Sequence, residues 1–197
     1  GSSGYGRAYR EGLDGRWGQV DVTDCEDAVN WLVNLGLADR NRVVVRGGSA
    51  GGFTTLCALT RSRLFSAGAS HYGIGDLNAL ARDTHKFESR YLHRLIGDLD
   101  ALTERSPVNH LDHLNCPVIF FQGSEDRVVP PNQARDMVAA LNRKDLPVAY
   151  LEFAGEGHGF RRAENVERAL ASEYAFYCRV FGIRPAENLP DLEIKNL

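Results

Sequence analysis

The sequence predicts an α/β fold, a mainly parallel sheet with helices on both faces. Three observations predict it: short, nearly all-apolar runs at Arg42–Val45, Pro117–Phe121 and Val148–Leu151, segments of helical period between them, and glycines that stop two of those segments. A strand that is apolar on both faces must be covered on both, and a chain that alternates strand with helix does this through right-handed crossovers.

Taken in order, Asp21 is expected to cap a helix in which Val22, Cys25, Val29, Leu32 and Val33 share a face, with Gly36 ending it. The strand at Val43–Val45 runs through a glycine turn into a helical segment at Thr54–Leu59, and a weaker strand follows at Ser66–Ala69. The strand at Pro117–Phe121 leads to a helix from Asn132 toward Lys144. After the strand near Val148–Leu151, a long helix places Val166, Leu170, Tyr174, Tyr177 and Phe181 along one stripe, the expected buried face, before Gly182 stops it. No repeat, low-complexity tract or linker divides the chain, so residues 1–197 are expected to form one domain.

With 43% hydrophobic and 25% charged residues, disorder is excluded as the main state. A net charge of −3, from 23 basic and 26 acidic residues, gives no long-range attraction to nucleic acid or to an anionic membrane. No run of 18 apolar residues exists, and the first residues lack the apolar core of a signal peptide, so a soluble, cytoplasmic protein is expected. Cys25, Cys57, Cys116 and Cys178 are widely spaced and include no C-x-x-C pair, which points to free thiols and to no metal site.

The strongest chemical signal is Gly47-Gly48-Ser49-Ala50-Gly51-Gly52, a G-x-S-x-G sequence between a valine strand and a helix. A serine on so sharp a turn needs small neighbours, and side chains at Gly47 or Gly51 are expected to collide with adjoining strands. The helix start would aim the Ala50 N–H at a developing oxyanion. A serine needs a base and a group to orient that base, and both follow in order. Asp126 lies in the loop after the Ile119–Phe121 strand, with Glu125 as a rival. His158 lies in a glycine turn, Gly155-Glu156-Gly157-His158-Gly159-Phe160, after the next strand. The other histidines, His71, His85, His93, His110 and His113, lack that context, and Asp98 and Asp100 read as solvated surface.

These motifs in register, with Gly4-Tyr5-Gly6-Arg7, Tyr9-Arg10 and Trp17–Val22, resemble the catalytic domain of the prolyl oligopeptidase family, in its acylaminoacyl peptidase and dipeptidyl aminopeptidase branch. The resemblance extends over nearly the whole chain. It implies an α/β-hydrolase fold whose early strands are missing, a C-terminal part of a longer catalytic domain, and a serine peptidase acting on short peptides. Ser49, Asp126 and His158 would be the catalytic triad, Ala50 one backbone oxyanion donor, and Tyr72, Val128 and Val129 the substrate pocket. A second oxyanion donor would come from upstream, so the fragment alone is expected to be weakened. No cofactor is needed. An open sheet edge would favour a homo-oligomer or association with the missing N-terminal segment. A carboxylesterase of the same fold and an inactive fragment serving as an assembly module are the alternatives.

Overall fold

The computed structural model describes residues 1–83 and 91–197; His85 lies outside the described residues. Four strands, Val44–Gly48 (β1), Ala67–His71 (β2), Val118–Gly123 (β3) and Val148–Phe153 (β4), form one sheet in the order β1-β2-β3-β4. Every adjacent pair is parallel. The helices are Arg7–Glu11 (α1), Val20–Asn34 (α2), Ala50–Arg61 (α3), Leu77–Asp83 (α4), Tyr91–Leu95 (α5), Leu99–Arg105 (α6), Pro131–Arg143 (α7) and Ala163–Val180 (α8).

Alternation along each strand sends side chains into two separate cores. On β3, Val118 and Phe120 join the core beneath α3 and α7, whereas Ile119 and Phe121 join Ala169, Ala175 and Phe176 of α8 on the other face. All of β2 is buried, so the weakest of the four strand signals belongs to a central strand. Its Ala67, Gly68 and Ala69 carry little apolar volume because helices approach closely: a Cβ at Gly68 would stand 2.5 Å from Leu59 Cδ1. Among the described residues only β2 pairs with β1, which leaves β1 at the edge of the sheet.

Two local expectations are corrected. Gln19, rather than Asp21, is the N-cap of α2; Asp21 sits in the first turn and accepts the Gly18 N–H at 2.6 Å and the Thr54 hydroxyl, tying α2 to α3. The stripe on α8 is buried only toward its C-terminal end: Val166, Leu170 and Tyr174 are exposed, while Tyr177 and Phe181 pack partly buried against the second core. The buried face runs instead through Ala169, Ser172, Glu173 and Phe176, at helical spacing. Small residues there let α8 lie close to the alanines of β2 and β4, and an inward Glu173 is tolerated because Arg46 and His71 meet its carboxylate. The C-terminal tail borders the far edge of the sheet, where Lys195 and Val148 exchange backbone hydrogen bonds of 2.9 and 3.1 Å.

Candidate active site

Ser49, Asp126 and His158 each follow the carboxyl end of a strand, β1, β3 and β4 respectively, and a parallel sheet gathers those ends along one rim. Ser49 is the N-cap of α3, yet its side chain caps nothing. Its backbone is held at φ 55°, ψ −118°, a sparsely populated conformation that costs about 1–3 kcal/mol. The consequence is that Oγ is free to donate to His158 Nε2, at 2.7 Å. The turn closes by bringing Gly47 against Gly51, where a Cβ on Gly47 would lie 2.2 Å from the Gly51 carbonyl oxygen. At Gly51 itself a Cβ meets nothing within 4 Å, whereas at Gly52 it would stand 2.5 Å from Gly73 Cα. Gly47 and Gly52 are therefore the sterically required pair, and the expected collision at Gly51 does not occur.

His158 Nδ1 lies 2.9 Å from Asp126 Oδ2. Asp126 is buried, at 4% exposed, while Glu125 is exposed, and it is Asp126 that meets the imidazole. Burial pushes the Asp126 carboxyl up, but the hydrogen bonds from His158 and from the Val129 and Val128 N–H groups outweigh it and hold the group below the usual aspartate value. Both amide bonds are 2.9 Å, to Oδ1, and Gln122 Nε2 donates to Oδ2 at 3.1 Å. An ionised carboxylate only accepts, so Nδ1 carries the imidazole proton and Nε2 presents its lone pair to the serine.

The loop bearing His158 is closed by Glu156, which no sequence signal singled out. Its carboxylate accepts the N–H groups of Arg161 and Arg162, both at 3.0 Å, and Asn165 Nδ2 at 2.7 Å, pinning the loop to the start of α8. The Asn165 bond and the Arg161 amide lead in holding this carboxyl below the ordinary glutamate value. The Ala50 amide, at the first position of α3, has no intrahelical partner.

A cavity of about 380 Å³ opens beside Ser49, Ala50 and His158. Leu13, Trp17, Ile74, Leu92, Leu95 and Val129 are among its apolar walls, and the half-exposed Val128 lies at its edge. Tyr72 is not part of that wall. At φ 40° its ring turns edge-on to His158, with centroids 5.0 Å apart, and to Phe160 at 5.4 Å. A larger recess, about 710 Å³, lies between α8 and the C-terminal tail, bordered by none of Ser49, Asp126 or His158. His71 pairs with Glu173, His93 Nδ1 with the Gly97 carbonyl and His110 Nε2 with the Glu104 carbonyl, while the His113 ring stacks on His110. Asp98 is exposed as expected but also caps α6, accepting the Ala101 N–H at 3.0 Å. All four cysteines are free thiols, and burial pushes Cys57 up to about 12 and Cys116 to about 11, so neither is a nucleophile near neutral pH. Among the described residues no helix is long and apolar enough to cross a membrane, and no group of three His, Cys, Asp or Glu could hold a metal ion.

The depressed carboxyls link this site to stability. Asp126, Glu156 and Glu173 each hold their proton less tightly folded than unfolded, so each stabilises the fold fully above the ordinary values of 3.8 and 4.5 and loses that contribution as pH falls through its lower folded value. The thermal midpoint, followed by circular dichroism, is expected to hold steady down to about pH 5 and then to drop steeply. A midpoint unchanged at pH 3 would contradict this.

A family model described as the prolyl oligopeptidase family matches residues 1–184. The dipeptidyl aminopeptidase BIII of Pseudoxanthomonas mexicana is 34% identical over 194 residues, 93% of this chain and 28% of that protein. The acylamino-acid-releasing enzyme of Arabidopsis thaliana is 31% identical over 200 residues, 91% of this chain and 26% of that protein. A solved puromycin-hydrolyzing peptidase of Mycobacterium tuberculosis superposes with a TM-score of 0.94 at 49% identity, covering 98% of this chain and 30% of that one. The chain thus spans under a third of the length of the relatives it matches. Its α/β-hydrolase fold and the extent of the match lead to one assignment: the chain belongs to the prolyl oligopeptidase family.

Proposed function

We propose that this chain carries the catalytic side chains of a serine peptidase acting on short peptides through an acyl-enzyme on Ser49. The observation that supports it above all others is the unbroken relay from Ser49 Oγ to His158 and on to Asp126, 2.7 and 2.9 Å, beside an apolar cavity. Ser49 Oγ attacks the scissile carbonyl carbon as its proton passes to His158 Nε2; Asp126 steadies the imidazolium. The oxyanion is met by the Ala50 N–H at the positive end of α3. Collapse of the intermediate breaks the C–N bond, with His158 returning the proton to the leaving amine. Water, deprotonated by His158, then frees the acid. These steps need no metal or organic cofactor.

The cavity supports a preference for an apolar residue on the acyl side of the bond, with Val128 and Val129 forming part of the subsite and Tyr72 backing His158. The relatives' names carry the reading from hydrolase to peptidase, since the same three side chains serve esterases equally well.

Treating the folded chain with a fluorophosphonate is expected to place one label on the peptide containing Ser49, located by mass spectrometry. The same treatment should stop release of amine from a phenylalanyl-peptide amide. A label elsewhere, or turnover of esters but of no peptide amide, would overturn the reading.

A further inference from the structure

One buried charged cluster plays no part in the steps just described. Glu173, 5% exposed on the inner face of α8, is shared by partners from three elements. His71 Nε2, from β2, lies 2.8 Å from Oε2; Arg46, from β1, donates Nε to Oε1 at 2.7 Å and an η nitrogen to Oε2 at 3.1 Å. The Tyr177 hydroxyl, one turn along α8, donates to Oε1 at 3.1 Å. Burial pushes this carboxyl up, and His71 and Arg46 outweigh it, so it stays ionised and accepts from the imidazole. The Arg46 side of the cluster is half exposed, where an ion pair contributes little. The His71 side is dry: the two side chains are 11% and 6% exposed.

His71 is where the cluster reaches the reactive groups. Its ring stacks on Phe121 at 4.5 Å, and its backbone carbonyl accepts the Ser49 N–H at 3.0 Å. The next residue, Tyr72, donates its N–H to the Phe121 carbonyl at 2.7 Å and lays its ring against His158. The backbone of Ser49 and the imidazole of His158 are thus both touched by one dipeptide. Ser49 and Tyr72 both sit at positive φ, a strain that persists only where the surroundings over-determine it. On the β2 side, the His71–Glu173 bond is the polar side-chain anchor of that dipeptide.

We propose that Glu173 is a positioning residue for the Ser49–His158 pair, acting through His71, so that α8 sets the alignment along which the serine proton passes. This rests on Ser49 being the nucleophile. Misalignment of a fraction of an ångström at the reacting atoms slows acylation without weakening ground-state binding.

The test is the kinetics of fluorophosphonate labelling, resolved into kinact and KI. Wild type failing to label at all defeats the peptidase reading itself; the outcomes below, with wild type labelling, bear on Glu173 alone. Glu173→Gln, which keeps the shape but loses the charge, is expected to lower kinact about tenfold with KI within about twofold. Glu173→Ala and His71→Ala should each lower it by about 10- to 100-fold, and the double variant by no more than the larger single loss, because the two act in series. Folded variants that label at the wild-type kinact, or losses that multiply, would overturn the proposal. Should the variants not fold, the His71 ring N–H resonance of the wild-type chain decides: it is expected to shift when Ser49 is labelled, and a resonance that stays in place overturns the proposal.

Discussion

Replacing His158 by alanine is expected to lower acylation of Ser49 by about 10⁴- to 10⁶-fold at neutral pH, with the fold intact. His158 Nε2 is the acceptor 2.7 Å from Oγ, and no other histidine ring of the described residues bonds to Ser49. The side chain is only partly buried and stands on a loop held by Glu156, so its removal leaves both cores untouched. Adding Ser49→Ala should then cost turnover almost nothing more, because a base without a nucleophile and a nucleophile without a base fail at the same step. Single-turnover amide hydrolysis measures both. A His158→Ala chain retaining more than a hundredth of the wild-type rate would remove the histidine from the mechanism.

Asp126→Asn is expected to lower the same rate by about 10⁴-fold while changing shape hardly at all. The Val128 and Val129 amides hold Oδ1 as an acceptor, so the substituted side chain keeps its oxygen there and turns its NH₂ toward His158. Nδ1 must then accept, the proton moves to Nε2, and the lone pair that should receive the serine proton is gone. The loss belongs in kcat, with KM nearly constant, since the cavity walls are unaffected. A loss below about tenfold would mean that Asp126 merely fills space behind the imidazole.

Much of the site was legible because its signals are local. A serine between a valine strand and a helix start, flanked by glycines, announces a strained turn whatever surrounds it, and strand–turn order then singles out Asp126 and His158. Glycine is required at Gly47 as expected, though what a side chain there would meet is the Gly51 backbone of the same turn rather than an adjoining strand, and the second crowded position is Gly52, which meets Gly73 from a segment some twenty residues on, not Gly51. The valines predict β1 at Arg42–Val45, and it is found at Val44–Gly48: the turn at Arg40–Arg42 uses the earlier residues, and pairing with β2 carries the strand through Arg46 and both glycines. The family resemblance implies Tyr72 as pocket wall, whereas its ring, on a backbone at positive φ that is invisible in the sequence, lies against His158.

The sequence by itself determined the alternation of strand and helix, the parallel sheet and the three side chains on its rim, since periodicity and turn chemistry depend on neighbours along the chain. Only the tertiary structure decided which way α8 faces and what Glu173 and Glu156 hold. An apolar stripe is buried only where a partner surface exists, and the sheet offered its room to the small residues beside that stripe. Glu173, likewise, depends on donors brought from distant strands, and no spacing along the chain encodes their arrival, whereas the donors of Glu156 lie within nine residues of it and need only the folded turn to aim them.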